Sequence, residues 1–447
     1  MKLKQFIAAA AVGTLFLMSA SGCDFTDFST ESILRPPKTM GDDAEIEQLI
    51  ADTAKGDYTL KYPKNGNYRS AIIMTDIDGD NIDEAIAFYR KKSDVTGIHM
   101  LVMYDDEGRW KLSSDFVTET TDIDSVDFAD IDGAKSLEIL VGYATYTPNE
   151  NFLSCYSYSG GSTDVIKAGQ KYSSFYCGDL NTDGKSEVIT LSLYSTEAEA
   201  KATMLEYNDS NKSLYAKASV PMDPNVAKYK NVTVCDLNQS TKGILIDGSF
   251  ANEDINTQVL YYNMEMSLLR NPLYKEKSKN ITQRTMPVIC ADIDNDLVYE
   301  IPTVDTLPHT GKDTAETVES KITWNTLDAN TEKLVPKVSM IADYSLKYTI
   351  KMPDSWLEDT VTAISDPEKN TTVFYEWVDD DFGEKLFEIR AFDVSVWDKG
   401  KNNDKYTLIY KDNRYAYTFI NYDSKSDYAM TNDEIKTAFS VLNEIVV

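Results

Sequence analysis

Acidic side chains recur at a fixed spacing in five short segments of the chain. They read TDIDGDNIDEAIAF from Thr75, ADIDGAKSLEILVG from Ala129, GDLNTDGKSEVITL from Gly178, CDLNQSTKGILIDG from Cys235 and ADIDNDLVYEIPTV from Ala291. Each opens on an Asp (Asp76, Asp130, Asp179, Asp236, Asp292), and four carry a Glu at the ninth position counted from it: Glu84, Glu138, Glu187 and Glu300. The chemistry this suits is that of a hard cation. Oxygen side chains at positions 1, 3, 5 and 9, with a main-chain carbonyl at position 7, wrap Ca²⁺ at about 2.3–2.6 Å. In the first segment those positions are Asp76, Asp78, Asp80, Ile82 and Glu84; in the third, Asp179, Asn181, Asp183, Lys185 and Glu187. In the fifth they are Asp292, Asp294, Asp296, Val298 and Glu300. Three or four converging carboxylates repel one another without a cation, so these three loops are expected to hold Ca²⁺. The second segment loses position 5 to Ala134, and the fourth has Ser240 and Ile244 at positions 5 and 9. Those two read as Asx turns, in which the Asp oxygens simply accept backbone amides.

Strands must position these loops. Four residues before each leading Asp stand Ile72, Val126, Phe175, Val232 and Val288, and two before it Met74, Phe128, Cys177, Val234 and Cys290. That alternation delivers one face of a strand to a core, and a second apolar run such as Ala85 to Phe88 follows each loop. An EF-hand is excluded by these β-rich flanks and by the lack of a Glu at position 12. A unit of strand, acidic loop and further strands that repeats about every 50 residues predicts propeller blades.

The segments resemble FG-GAP/VCBS repeats, the blades of integrin-like propellers. The full signature stands once, from Asp179 to Glu187; the first repeat has its Gly displaced to Gly79 and the fifth has none. The resemblance implies a mainly β fold, a β-propeller of about five blades over residues 57–338, with six or seven left open. Tyr58 to Tyr62 is placed as the outer strand of the last blade, closing the ring. A small α+β domain, a sheet with a helix on it, is expected over 339–447, where aromatic residues become denser and a capping box, Thr431 and Glu434, starts a last helix. Within it Trp356, Trp377 and Trp397 are read as core or sheet-face residues rather than as a sugar-binding platform.

The N-terminus supplies the address. Lys2 and Lys4 precede an apolar run from Phe6 to Met18, and Ala20-Ser21-Gly22 lead into Cys23. This resembles the lipobox of bacterial lipoproteins, which implies a signal peptide over 1–22 and a thioether-linked diacylglycerol on Cys23. Asp24 after the Cys then implies retention at the inner membrane of a double-membraned cell. Residues 23–42 read as a tether and 43–56 as a short helix with Ile46, Leu49 and Ile50 on one face.

Composition narrows the partners. With 44 Lys and Arg against 73 Asp and Glu, the net charge is −29. Such a field disfavours nucleic acid and leaves the membrane reachable only through the lipid anchor. Two histidines, His99 and His309, leave little for His-based catalysis, and there is no G-x-S-x-G, H-E-x-x-H or Walker loop. Cys155, Cys177, Cys235 and Cys290 read as buried thiols, Cys177 and Cys290 filling core positions. The expectation is a non-catalytic binding or scaffold protein of the cell surface, with a protein or polysaccharide ligand. A carbohydrate-capturing or carbohydrate-processing protein and an envelope-assembly factor are the alternatives.

Overall fold

A computed structural model describes residues 42–442, apart from 95, 148, 197, 239, 311–316, 357–358 and 401–403. Cys23, the signal segment and all but the last residue of the tether lie outside the described residues. The chain is mainly β. Six antiparallel sheets follow one another along the sequence, most of them built from consecutive strands. In the third, Ser174–Gly178, Glu187–Ser192, Lys201–Asn208 and Ser213–Pro221 pair in simple order. The acidic loop joins the first strand to the second.

Apolar faces of successive sheets pack on each other. Ile86 and Phe88 of the first meet Ile139 and Val141 of the second, and Leu140 and Leu153 of the second meet Val188 and Leu205 of the third. Ile189 and Met204 then meet Ile244 and Leu260 of the fourth sheet, and Leu245 and Val259 meet Ile301 and Leu327 of the fifth. This serial face-to-face packing is propeller-like, and it explains why the second strand of each unit is apolar on both faces: it is covered from both sides.

Ring closure differs from the expectation. The strand Tyr58–Lys61 does not complete a last blade; it pairs with Glu84–Lys91 in the first sheet, beside Ile72–Thr75 on the same edge. The other face of the first sheet is covered by the helix Asp42–Ala54, whose Ile46, Ile50 and Ala54 pack on Ala85, Ala87, Leu101 and Met103. A 13-residue helix with this apolar stripe is stable chiefly through such docking. Its bounds are close to those read from the sequence.

The boundary placed at 338/339 falls inside the strand Lys333–Asp343 of the fifth sheet. The C-terminal segment also returns to that sheet, because Phe439–Val441 pairs with Tyr348–Lys351. The sixth sheet, from Val361 to Asn421, shares one core with the fifth through Ile341, Tyr348, Ile350, Phe374, Phe387 and Phe419. The capping box at Thr431 and Glu434 is present, and the helix Asn432–Ala438 adds Ile435 to that core. The helix passes directly into the closing strand, whose first residue is Phe439.

Trp356 and Trp397 are buried, Trp356 donating its indole N–H to the Tyr428 carbonyl at 2.9 Å. Trp377 packs edge-on against Phe382. Among the described residues Cys155 and Cys290 are buried free thiols, whereas Cys177 and Cys235, expected to be buried, are free but half-buried. No helix among the described residues is long and apolar enough to cross a membrane.

Candidate metal loops

The ninth-position glutamate does the same thing in all four loops that have it. Its side chain is buried and folds back so that one carboxylate oxygen accepts the amide of the second loop residue. Glu84 accepts Ile77 at 2.8 Å, Glu138 accepts Ile131 at 2.9 Å, Glu187 accepts Leu180 at 2.9 Å and Glu300 accepts Ile293 at 3.0 Å. The leading Asp closes the loop from its other end. Asp76 takes Gly79 and Asn81, Asp130 takes Gly133 and Lys135, Asp179 takes Asp183 and Gly184, and Asp292 takes Asp296 and Leu297. Each loop is thus a ring of main-chain donors held by two carboxylates, and the sequence repeats because this ring repeats.

The loop carboxylates also converge on one another. Ligand atoms of Asp76, Asp78 and Glu84 lie within 4.8 Å of one another, as do those of Asp130, Asp132 and Glu138, and of Asp292, Asp294 and Glu300. In the first loop one oxygen of Asp78 is enclosed without a hydrogen-bond partner. Asp80 and Asp296 stand outside these groups, capping the amides of Ile82 and Val298 at 2.7 and 2.9 Å. Asp183 does likewise for Lys185 at 2.9 Å.

The third loop is assembled differently from its sequence reading. Its group is Asp183, Glu187 and Glu206, not one containing Asp179. Glu206 arrives because Val188 lies opposite Leu205, which sets Glu187 beside Glu206 on neighbouring strands. Asn181 is buried and turns its amide nitrogen toward Glu187 at 2.7 Å and Asp183 at 3.2 Å. Lys185 is drawn to the second loop. Its side chain lies over Gly133, whose φ of +83° is the left-handed conformation that favours glycine.

The second loop, read from sequence as an Asx turn, brings together the same three groups as the first. Ala134 stands at position 5 there, and in the first loop the residue at that position, Asp80, lies outside the group. The fourth repeat closes as a tight hairpin between Lys228–Asn238 and Thr241–Ser249, with Asn238 accepting the Ser240 amide at 2.9 Å. The loops are laced along one end of the array. Leu137 donates to the Ile77 carbonyl at 2.7 Å, Ser186 donates to Asp130 at 2.7 Å, and Asp236 bridges Val298.

A lysine separates the fifth loop from the others. Burial, and then the charges of neighbouring aspartates, push Glu84, Glu138 and Glu187 each up to about 7, against the pull of the amides they accept. In the fifth loop a cation is already in place. The Lys337 ammonium lies 2.9 Å from Asp294, 2.6 Å from Asp296 and 2.8 Å from Glu300. Burial pulls that ammonium down, but its bonds to Asp296, Glu300 and Asp294 push it well up. The fifth set therefore has an ammonium where a calcium ion was expected.

No family model matches the chain, and no curated protein does. Among solved structures it is similar to a protein from Lactobacillus plantarum, with 8% identity, covering 72% of this chain and 85% of that one at a TM-score of 0.28. It is similar to Saccharomyces cerevisiae Sqt1 at 11% identity, 72% and 75% coverage and a TM-score of 0.31. A rhamnogalacturonan lyase of Bacillus licheniformis matches at 11% identity, 67% and 68% coverage and a TM-score of 0.30. The expectation of a non-catalytic chain is corrected by this finding, because an enzyme stands among the similar structures. At such TM-scores the likeness assigns this chain no reaction.

Proposed function

We propose that this protein is a propeller-like binding or scaffold protein, held by lipid on Cys23 at the extracytoplasmic face of a bacterial membrane, whose first three acidic loops take up Ca²⁺. The observation that carries the calcium reading is the trio Glu84, Glu138 and Glu187. Each is buried at an equivalent place, each is raised to about 7, and each faces two further acids. A divalent ion neutralises such a group, and converging carboxylate oxygens suit the flexible coordination of Ca²⁺ better than the strict octahedron Mg²⁺ demands. The anchor reading rests on the lipobox-like run into Cys23, and the net charge of −29 supports a protein or polysaccharide partner over nucleic acid.

Polysaccharide capture has one observation in its favour. At the opposite end of the array from the acidic loops, a groove of about 520 Å³ is lined by Glu150, Gln170, Lys171, Tyr194 and Lys201. Tyr194 is 62% exposed there, an aromatic face beside hydrogen-bonding groups, which suits a sugar ring.

Calorimetric titration of the soluble fragment with CaCl₂ into the millimolar range is expected to show three sites. Asp132→Asn should remove one of them, which the Asx-turn reading of the second loop does not allow. Absence of calcium heat at millimolar concentration overturns the reading. For the anchor, an intact mass of the native protein without a diacylglyceryl adduct overturns it.

A further inference from the structure

Lys337 reaches the fifth loop because of a fault in strand register. In the fifth sheet Trp324 lies opposite Val338 but Asn325 lies opposite Pro336, so Lys337 is an extra residue without a partner. Such a bulge re-aims one side chain, and here it aims the ammonium into the acidic group. The same fault stands at the same place in two other sheets. In the first, Val102 lies opposite Ser114 and Met103 opposite Leu112, leaving Ser113 as the extra residue. In the third, Met204 lies opposite Ala218 and Leu205 opposite Ala216, leaving Lys217. The places are equivalent by register. Ala85 is opposite Met103, Val188 opposite Leu205 and Ile301 opposite Asn325, each one residue after the ninth-position glutamate.

The three bulge residues meet their loops differently. Lys337 bonds three acids of its own loop. Lys217 bonds one acid of the third loop's group, Glu206, 3.0 Å away. Ser113 carries no charge and bonds Thr163 at 2.8 Å, and the loop of that sheet has the enclosed, unpartnered oxygen of Asp78.

We propose that the bulge residue selects the cation of its loop: Lys337 supplies the fifth loop with a tethered ammonium that excludes a divalent ion, while Ser113 leaves the first loop to one. The first-loop half rests on the calcium reading above; the fifth-loop half does not. An ammonium on a side chain is present at every calcium concentration, so the fifth loop keeps its shape when the others lose their ions. One end of the molecule then combines metal-dependent loops with a metal-independent one.

The exchange of residues tests this. Calcium titrations are run on the wild-type soluble fragment, Lys337→Ser, Ser113→Lys and the double variant, with near-ultraviolet circular dichroism confirming native packing. Lys337→Ser is expected to gain one site, Ser113→Lys to lose one, and the double variant to return to the wild-type number. In EGTA, Lys337→Ser should melt below wild type, and millimolar calcium should raise its melting temperature by more than it raises the wild type's. A wild type that binds no calcium while Lys337→Ser binds one sinks the calcium reading and keeps the lysine in its role. Unchanged site numbers in both single variants overturn the proposal. Should Lys337→Ser fail to fold, NMR of the lysine ammonium groups in the wild type decides. A slowly exchanging Lys337 signal that calcium leaves in place supports the proposal, and loss of that signal on adding millimolar calcium overturns it.

Discussion

Replacing Arg284 by Met is expected to destabilise the protein by about 3–5 kcal/mol, the cost of leaving a buried carboxylate without its counter-charge. Arg284 and Asp247 are fully buried, with a guanidinium nitrogen 2.9 Å from the Asp247 carboxylate. Every remaining bond of the pair is to the fold itself. Arg284 donates to the carbonyls of Val288 at 2.7 Å and Thr282 at 2.8 Å; Asp247 accepts the Thr257 hydroxyl at 2.6 Å and the Cys290 amide at 2.9 Å. These contacts fasten two strands of the fourth sheet, Thr241–Ser249 and Ile255–Asn263, to the segment that leads into the fifth. Losing the arginine removes that fastening and strands the negative charge. The double variant Arg284→Met with Asp247→Leu should recover most of the loss, since a buried pair is often replaceable by apolar volume while half a pair is not. Chemical denaturation measures both. A single variant within about 1 kcal/mol of wild type would mean that water reaches the pair and screens it.

That pair was not legible in the sequence, and the reason is general to this fold. What could be read was local: the ring of Asp76 and Glu84 spans nine residues, and the alternation of Ile72 and Met74 needs only a strand. The helix over 42–54 and the capping box at Thr431 are equally local. What could not be read depends on register between strands far apart in the chain. Glu206 joins the third loop across a strand pair, and Lys337 joins the fifth from 37 positions beyond Glu300 because one residue bulges. Arg284 meets Asp247 over a separation of 37 residues, from the segment that follows the strand Leu268–Arg270. Position 5 has two uses that spacing does not separate: Asp80 and Asp296 there cap an amide two residues on, while Asp183 caps an amide and also stands in the acidic group of the third loop. The pattern of Tyr58–Lys61 suits any sheet edge, and pattern alone does not choose the edge of the first sheet over a closing blade.

Removing calcium should both soften the protein and change how its stability answers to pH, and the two effects have one cause. Without metal, Glu84, Glu138 and Glu187 hold their protons up to about 7, whereas the unfolded chain ionises them near the ordinary glutamate value. The folded state therefore binds more protons between those two values. Their contribution to stability is complete below about pH 4.5 and is lost as pH rises toward 7, at no more than about 1.4 kcal/mol per pH unit for each group. Calcium demands the ionised form, so its uptake expels these protons. At pH 6 close to one proton per loop should be released, and at pH 8 almost none, which calorimetry in buffers of different ionisation enthalpy reads directly. Saturating metal then adds about 2.7 kcal/mol per site at a hundredfold excess over Kd, and the stability lost between pH 5 and 7 in EGTA should largely return. Glu84→Gln should abolish one proton and one ion together. Ser240→Ala, in the tight hairpin of the fourth repeat, should alter neither. Identical melting in EGTA and calcium across this pH range, with no proton released at pH 6, would leave the acidic loops as rings of main-chain hydrogen bonds and nothing more.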